Sequence, residues 1–174
     1  MGLTIRKAVP EDAYEYTACH IACWRDAYCG IIPDGYLDNM LLELEQRAER
    51  CLQTLREPGD YEFYCVEYEG SMIGRLIFSK SRDDDKPDAG EIVAIYLRAD
   101  YWGKGYGRQM MDFALESLKH QGYRTAFVWV LEANARARDF YKKCGFLFDG
   151  TREEIEIGKT LIELRYTLDL SPLI

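Results

Sequence analysis

Hydrophobic and polar positions along this chain change period several times, and each change marks an element. Leu3–Val9 alternates weakly, as a first strand does, and Pro10 closes it. Glu11–Tyr28 moves to a helical repeat in which Tyr14, Ala18, Ile21 and Ala22 share a face, with His20, Trp24 and Tyr28 beside it at i, i+4 and i+8. Gly30 to Pro33 breaks that repeat, and Asp34 stands where it can cap the next. From Leu37, the stripe Met40, Leu41, Leu44, Ala48, Cys51, Leu52 and Leu55 predicts one amphipathic helix, stopped by Pro58-Gly59.

The period then falls to two. Tyr61–Tyr68 and Ser71–Ser81 are rich in aromatic and branched residues and are joined at Glu69-Gly70, which predicts a hairpin. Arg82–Ala89 (RDDDKPDA) reads as a mobile polar loop outside the core. Glu91–Arg98 and Thr125–Leu131 are nearly continuous apolar runs, the mark of strands covered on both faces. Helices are predicted at Gly107–Gln121, with Met111, Ala114, Leu115 and Leu118 inward, and at Asn134–Cys144, with Ala137, Phe140, Tyr141 and Cys144 aligned. Phe146–Asp149 and Lys159–Leu168 finish as strands. The order β-α-α-β-β-β-α-β-α-β-β describes one mixed α/β (α+β) domain over residues 1–174, with hairpins and at least one strand–helix–strand crossover.

Composition adds exclusions. A chain of 174 residues that is 48% hydrophobic and 30% charged has a globular balance. Lys and Arg number 22 against 30 Asp and Glu, a net charge of −8, which argues against nucleic-acid binding and tilts slightly toward a cationic partner such as an amine. No apolar run has the roughly 20 residues that span a bilayer, and Met1–Pro10 is unlike a signal peptide, so a cytoplasmic protein without membrane contact is expected. The six cysteines then read as small buried hydrophobes rather than disulfides. Cys19, Cys23 and His20 lack a fourth ligand nearby, so no metal site is expected.

Chemistry concentrates in Leu97–Arg108, LRADYWGKGYGR. Gly103, Gly105 and Gly107 stand where a buried strand gives way to an amphipathic helix. Glycines there let the backbone turn sharply and approach a ligand. The free amides and positive end of the following helix favour a pyrophosphate, with Lys104 and Arg108 adding charge at the rim. The spacing GxGxG fits neither a P-loop nor a dinucleotide fingerprint.

The stretch YWGKGYG resembles the Q/R-x-x-G-x-G/A signature of the GNAT superfamily of N-acetyltransferases, with Trp102 at the usual Gln or Arg position. NARARDFYKKCGF, Asn134 to Phe146, resembles that family's second motif, N-x-x-A-x-x-x-Y-x-x-x-G-F, with Ala137, Tyr141, Gly145 and Phe146 in register. The order of elements is also similar, which implies a central, mixed but mostly antiparallel sheet of about seven strands flanked by about four helices.

The resemblance implies acetyl-CoA as co-substrate, without a metal. It implies a splayed strand whose Ile95, Tyr96 and Leu97 main-chain groups hold the pantetheine arm. The amides of Trp102, Gly103, Lys104, Gly105, Tyr106, Gly107 and Arg108 would hold the pyrophosphate, and Asn134 the arm again, a role compatible with a plain N-cap. Tyr141 matches the general acid: a phenol can protonate the thiolate expelled when an amine attacks the thioester. Glu91, eleven residues before Trp102, stands where the histone-acetylating branch carries a catalytic Glu, and burial at the edge of an apolar strand would suit it as a base; a solvated strand end is the other reading. For the acceptor, Trp24, Arg25, Tyr28 and Tyr36 are candidates, the aromatics caging an ammonium and Arg25 pinning a carboxylate, unless Trp24 and Tyr28 simply pack the helix.

The expected function is transfer of an acetyl group to a primary amine by direct attack in a ternary complex, the acceptor a small amine or polyamine. Acetylation of protein N-termini or lysines, and a non-catalytic acyl-CoA-binding module, are the alternatives. A homodimer is compatible with the sequence, though no residue establishes it.

Overall fold

The computed structural model describes residues 2–171; residue 1 and residues 172–174 of the expected domain span lie outside them. The chain runs β1 (Leu3–Lys7), α1 (Ala13–Tyr28), α2 (Asp34–Leu42), α3 (Leu44–Arg56), β2 (Glu62–Tyr68), β3 (Ser71–Lys80), β4 (Gly90–Leu97), α4 (Tyr106–His120), β5 (Thr125–Leu131), α5 (Ala135–Lys143), β6 (Leu147–Glu156) and β7 (Thr160–Asp169). Seven strands form one sheet in the order β1-β2-β3-β4-β5-β7-β6. Only β4 and β5 pair parallel, and α4 is their crossover.

Both faces of the sheet are covered. On one, Met110, Met111, Ala114 and Leu118 of α4, Tyr141 of α5 and Cys144 just after it pack on Ile92, Val128, Val130 and Leu164. On the other, Ile21 of α1 and Leu37 and Met40 of α2 meet Leu131 of β5. The nearly continuous apolar runs at β4 and β5 were therefore sound guides, because side chains of a central strand must find apolar partners on either face.

Where the pattern misled, the reasons are physical. The single stripe from Leu37 to Leu55 is broken at Glu43 (φ −92°, ψ 10°), giving five helices. The break lets α2 turn Leu37 and Met40 onto the sheet while α3 buries Ala48 and Leu55, and it leaves Leu41 52% exposed. In α1 the buried positions are Ala13, Tyr16, Thr17, Cys19, Ile21 and Cys23, so Tyr14 lies outside. Strand β6 extends to Glu156 past an irregularity between Phe148 and Arg152, and its exposed, acidic second half offers no alternation to read. Cys29 is exposed, although Cys19, Cys23, Cys65 and Cys144 are buried; all six are free thiols.

The segment between β3 and β4 is not a mobile loop. Arg165 of β7, with a side chain only 4% exposed, donates to Asp83, Asp85 and Asp149 at 2.7–2.8 Å. Trp129 Nε1 adds a bond to Asp83 at 3.1 Å, and Lys86 pairs with Asp149. A run of acidic residues looked like solvated surface because the arginine that satisfies it lies about eighty residues away in sequence. Arg165→Met leaves Asp83 and Asp85 without the arginine and Asp149 with Lys86 alone, and is expected to cost about 3–5 kcal/mol, as removal of one partner from a buried ionic cluster does. Asp85→Asn, at the exposed end, should cost under about 1 kcal/mol. Urea unfolding of the two variants checks this, and an Arg165→Met protein as stable as wild type would show that the segment is not anchored.

Candidate active site

Strands β4 and β5 pair only at Gly90–Ala126 and Glu91–Phe127 and then part. An irregularity in the β3–β4 register between Ile77 and Phe78 bends β4 away at the same level. From Ile92 onward, the side of β4 toward β5 has no strand partner. The gap opens into a cavity of about 700 Å³ lined by Val93, Ile95, Tyr96, Leu97, Trp129 and Tyr141, among others.

At one end of the cavity the chain turns through Gly103 (φ +72°) and Gly105 (φ +84°), conformations that glycine adopts without the strain of a Cβ, and an added Cβ at either would meet only open space. Gly105 is the N-cap of α4, and the first bond of that helix runs from Gln109 N–H to Gly105 O at 3.2 Å. The amides of Tyr106, Gly107 and Arg108 thus have no main-chain acceptor among the described residues. Gly107 serves packing instead: a Cβ there would meet Phe140 of α5 at 3.3 Å. This is an anion cradle made of backbone, opening on a slot between parted strands.

Tyr141 lines the slot from α5 and is 7% exposed, and its hydroxyl makes no hydrogen bond among the described residues. Burial, and then the neighbouring Tyr96 and Cys144, push its phenol well above the usual range, so it stays protonated and available as a donor. Asn134 caps α5, its Oδ1 accepting from Ala137 N–H at 3.1 Å, while also lining the cavity.

The model of the acetyltransferase (GNAT) family matches residues 21–146, most of the chain. The chain belongs to the GNAT family. The GNAT protein is 31% identical over 134 residues to the uncharacterized N-acetyltransferase YuaI of Bacillus subtilis, covering 76% of this chain and 73% of that one. It is 22% identical over 157 residues to the spermidine N(1)-acetyltransferase of Thermoplasma acidophilum, covering 87% and 92%. Among solved structures, the PaiA N-acetyltransferase from Thermoplasma acidophilum in complex with coenzyme A superposes with a TM-score of 0.73 at 20% identity, over 97% of this chain and 99% of that one. The GNAT enzyme is accordingly an acetyl-CoA-dependent N-acetyltransferase.

Within this GNAT fold the expected site residues separate. Ile95, Tyr96, Leu97, Trp102, Gly103, Gly105, Gly107, Arg108, Asn134, Tyr141 and Tyr28 line the cavity. Lys104 and Tyr106 do not: Lys104 Nζ lies 5.2 Å from the Tyr101 ring centroid, and Tyr106 packs on Tyr68 and Tyr101. Arg108 gives its charge to Asp112, one turn along, at 2.7 Å. Trp102 donates Nε1–H to Leu97 O at 2.7 Å, and the Arg136 guanidinium lies over its ring. The aromatic residue at the usual polar position therefore braces the end of β4 and seats a cation from α5.

Glu91 does not reach the cavity. It is 1% exposed, and its carboxylate accepts from Arg82 through Nη2 at 2.5 Å and Nε at 2.9 Å, so both oxygens are held in an ion pair. Glu91 was expected as a base acting directly or through water; its carboxylate is instead paired with Arg82 and stands outside the cavity lining. Arg25 likewise pairs with Asp38 at 2.8 Å, ties α1 to α2 on the surface, and is not among the residues that line the cavity. Tyr36 packs against the turn at Gly158. Trp24 and Tyr28 do meet, edge to face at 5.0 Å, in a cluster with His20 and Tyr96.

Sequence reasoning missed Trp129 and Arg136 as lining residues, and Asp26, whose carboxylate takes Arg98 Nε at 3.0 Å and Ala99 N–H at 2.9 Å to fix the turn after β4. No local pattern distinguishes Asp26 from a solvated helix residue. Among the described residues, no group of three or more His, Cys, Asp or Glu could hold a metal ion, and no helix is long and apolar enough to cross a membrane.

Proposed function

We propose that this enzyme transfers the acetyl group of acetyl-CoA to the primary amine of a small cationic acceptor, with a polyamine the favoured class. The observation that carries the reading is the continuity of one cavity from the glycine bend, along the unpaired edge of β4, to Tyr141 and Tyr28. A diphosphate at the amides of the bend would lay its acyl tail along Val93–Leu97. Unpaired main-chain groups there would hold the tail and polarise the thioester carbonyl. Asn134 would take the arm from the α5 side, its Oδ1 already spent on the cap.

Positioning both reactants in one slot supplies the main advantage, roughly 7–11 kcal/mol for well-oriented partners. The acceptor nitrogen attacks the carbonyl directly, and Tyr141 protonates the leaving sulfur. The net charge of −8 and the similarity to a spermidine acetyltransferase support a cationic acceptor.

A panel of polyamines, amino acids and peptides, followed by release of CoA thiol, tests this. Turnover fastest on spermidine or a comparable polyamine is the expected result. Turnover on peptides alone would move the reading to protein acetylation. Coenzyme A binding without thiol release on any amine would leave a non-catalytic acyl-CoA module.

A further inference from the structure

Trp102 is the last residue before the glycine bend, and contacts on several sides fix it. Its Nε1–H donates to Leu97 O at 2.7 Å, and its main-chain N–H donates to Ala99 O at 3.0 Å. The guanidinium carbon of Arg136 lies 2.9 Å from the centre of its ring. Both side chains line the cavity. Trp102 belongs to the turn after β4 and Arg136 to the first turn of α5, so the stack bridges two elements beside the bend.

A guanidinium stacked on a ring uses its face and keeps the N–H groups that radiate in its plane for other partners. Among the described residues, those of Arg136 meet no acceptor and no carboxylate; its contact is with the ring. Nearby carboxylates are engaged elsewhere: Asp26 by Arg98 Nε and Ala99 N–H, Asp112 by Arg108, and Asp139 by Lys142. The basic residues of the bend itself do not serve the slot either. Arg108 is bound to Asp112 at 2.7 Å, and Lys104 lies against Tyr101, outside the lining. Lys143 lines the cavity without an ion pair among the described residues, but it stands seven residues further along α5, roughly 10 Å along the axis. The bend therefore offers a diphosphate neutral N–H groups and the partial charge of a helix end. Arg136 is the full positive charge beside them.

We propose that Arg136, seated on Trp102, binds the diphosphate of coenzyme A from the α5 side of the slot. This rests on the transferase reading above and adds a binding residue to the same site. Where the family signature has Gln or Arg this chain has a ring, and the charge comes instead from the second residue of α5. The fork of a guanidinium matches two phosphate oxygens. Stacking fixes its plane before the ligand arrives, so less rotamer freedom remains to be lost on binding.

The test is titration calorimetry of wild type, Arg136→Lys and Arg136→Met with coenzyme A and with 3′-dephospho-coenzyme A. Arg136 is exposed, so both variants should fold with melting temperatures close to wild type. The methionine variant should bind both ligands at least about tenfold more weakly, the scale of one charge-assisted hydrogen bond. The lysine variant keeps the charge without the planar fork and should recover part of the loss. The gap between wild type and the methionine variant should narrow as salt rises from about 0.01 to about 1 M, because screening weakens a charge contact and leaves packing alone. The ratio of kcat/KM for acetyl-CoA to that for S-acetylpantetheine, which carries no phosphate, should fall at least about tenfold in the methionine variant. A loss with coenzyme A but not with its dephospho form would put the guanidinium on the ribose phosphate and overturn the assignment. A methionine variant within twofold of wild type, or a loss that salt leaves unchanged and S-acetylpantetheine shares, overturns the proposal alone. A wild type that binds no coenzyme A overturns the proposal and the transferase reading together.

Discussion

Tyr141→Phe is expected to lower kcat at least tenfold while leaving coenzyme A affinity within about twofold of wild type, since a well-placed general acid contributes about 10²–10⁴. The substitution removes one oxygen from a side chain that makes no hydrogen bond among the described residues, so stability should change little. Its ring keeps its edge-to-face contact with Phe146, at a centroid distance of 6.1 Å. On the proposed mechanism, what would be lost is the proton for the departing sulfur. Because burial holds the phenol above its ordinary value near 10, the acid form persists through neutral pH, and Tyr141 should impose no descending limb on kcat below about pH 10. Stopped-flow and steady-state measurement of thiol release separates chemistry from binding. A phenylalanine variant with undiminished kcat would remove Tyr141 from the reaction.

Gly105→Asp is expected to weaken coenzyme A binding at least about 100-fold, or about 2.7 kcal/mol. The left-handed conformation of Gly105 tolerates Asp better than most residues, and no atom lies within 4 Å of the new Cβ. The chain should therefore fold. The loss arises because a carboxylate is placed at the N-cap of α4, beside free amides that would otherwise meet a diphosphate. Gly105→Asn has the same shape without the charge and should lose about tenfold or less. Titration calorimetry on the pair distinguishes repulsion from crowding: equal losses would mean that shape alone matters, and no loss in either would place the diphosphate elsewhere.

How much of this was legible beforehand follows from the range of each interaction. Strands β4 and β5 and helices α4 and α5 were readable because their apolar periods are local and their partners lie on both faces. The glycine bend was readable too, since positive φ at Gly103 and Gly105 is a demand made of those positions alone. Pairings between distant segments were not. Glu91 looked free because Arg82 sits in a run of acidic residues, and Arg25 looked available because Asp38 belongs to the next helix. Composition likewise could not reveal the break at Glu43, because the apolar stripe runs on unbroken across it.

The most direct measurement of the central claim is a crystal structure of the protein grown with coenzyme A. The account predicts both phosphates of the diphosphate against the main-chain nitrogens between Gly103 and Arg108, with the sulfur-bearing arm running beside Ile95 toward the Tyr141 hydroxyl. Coenzyme A bound away from this turn, or a turn filled by the protein's own side chains while the ligand is held tightly, would contradict it.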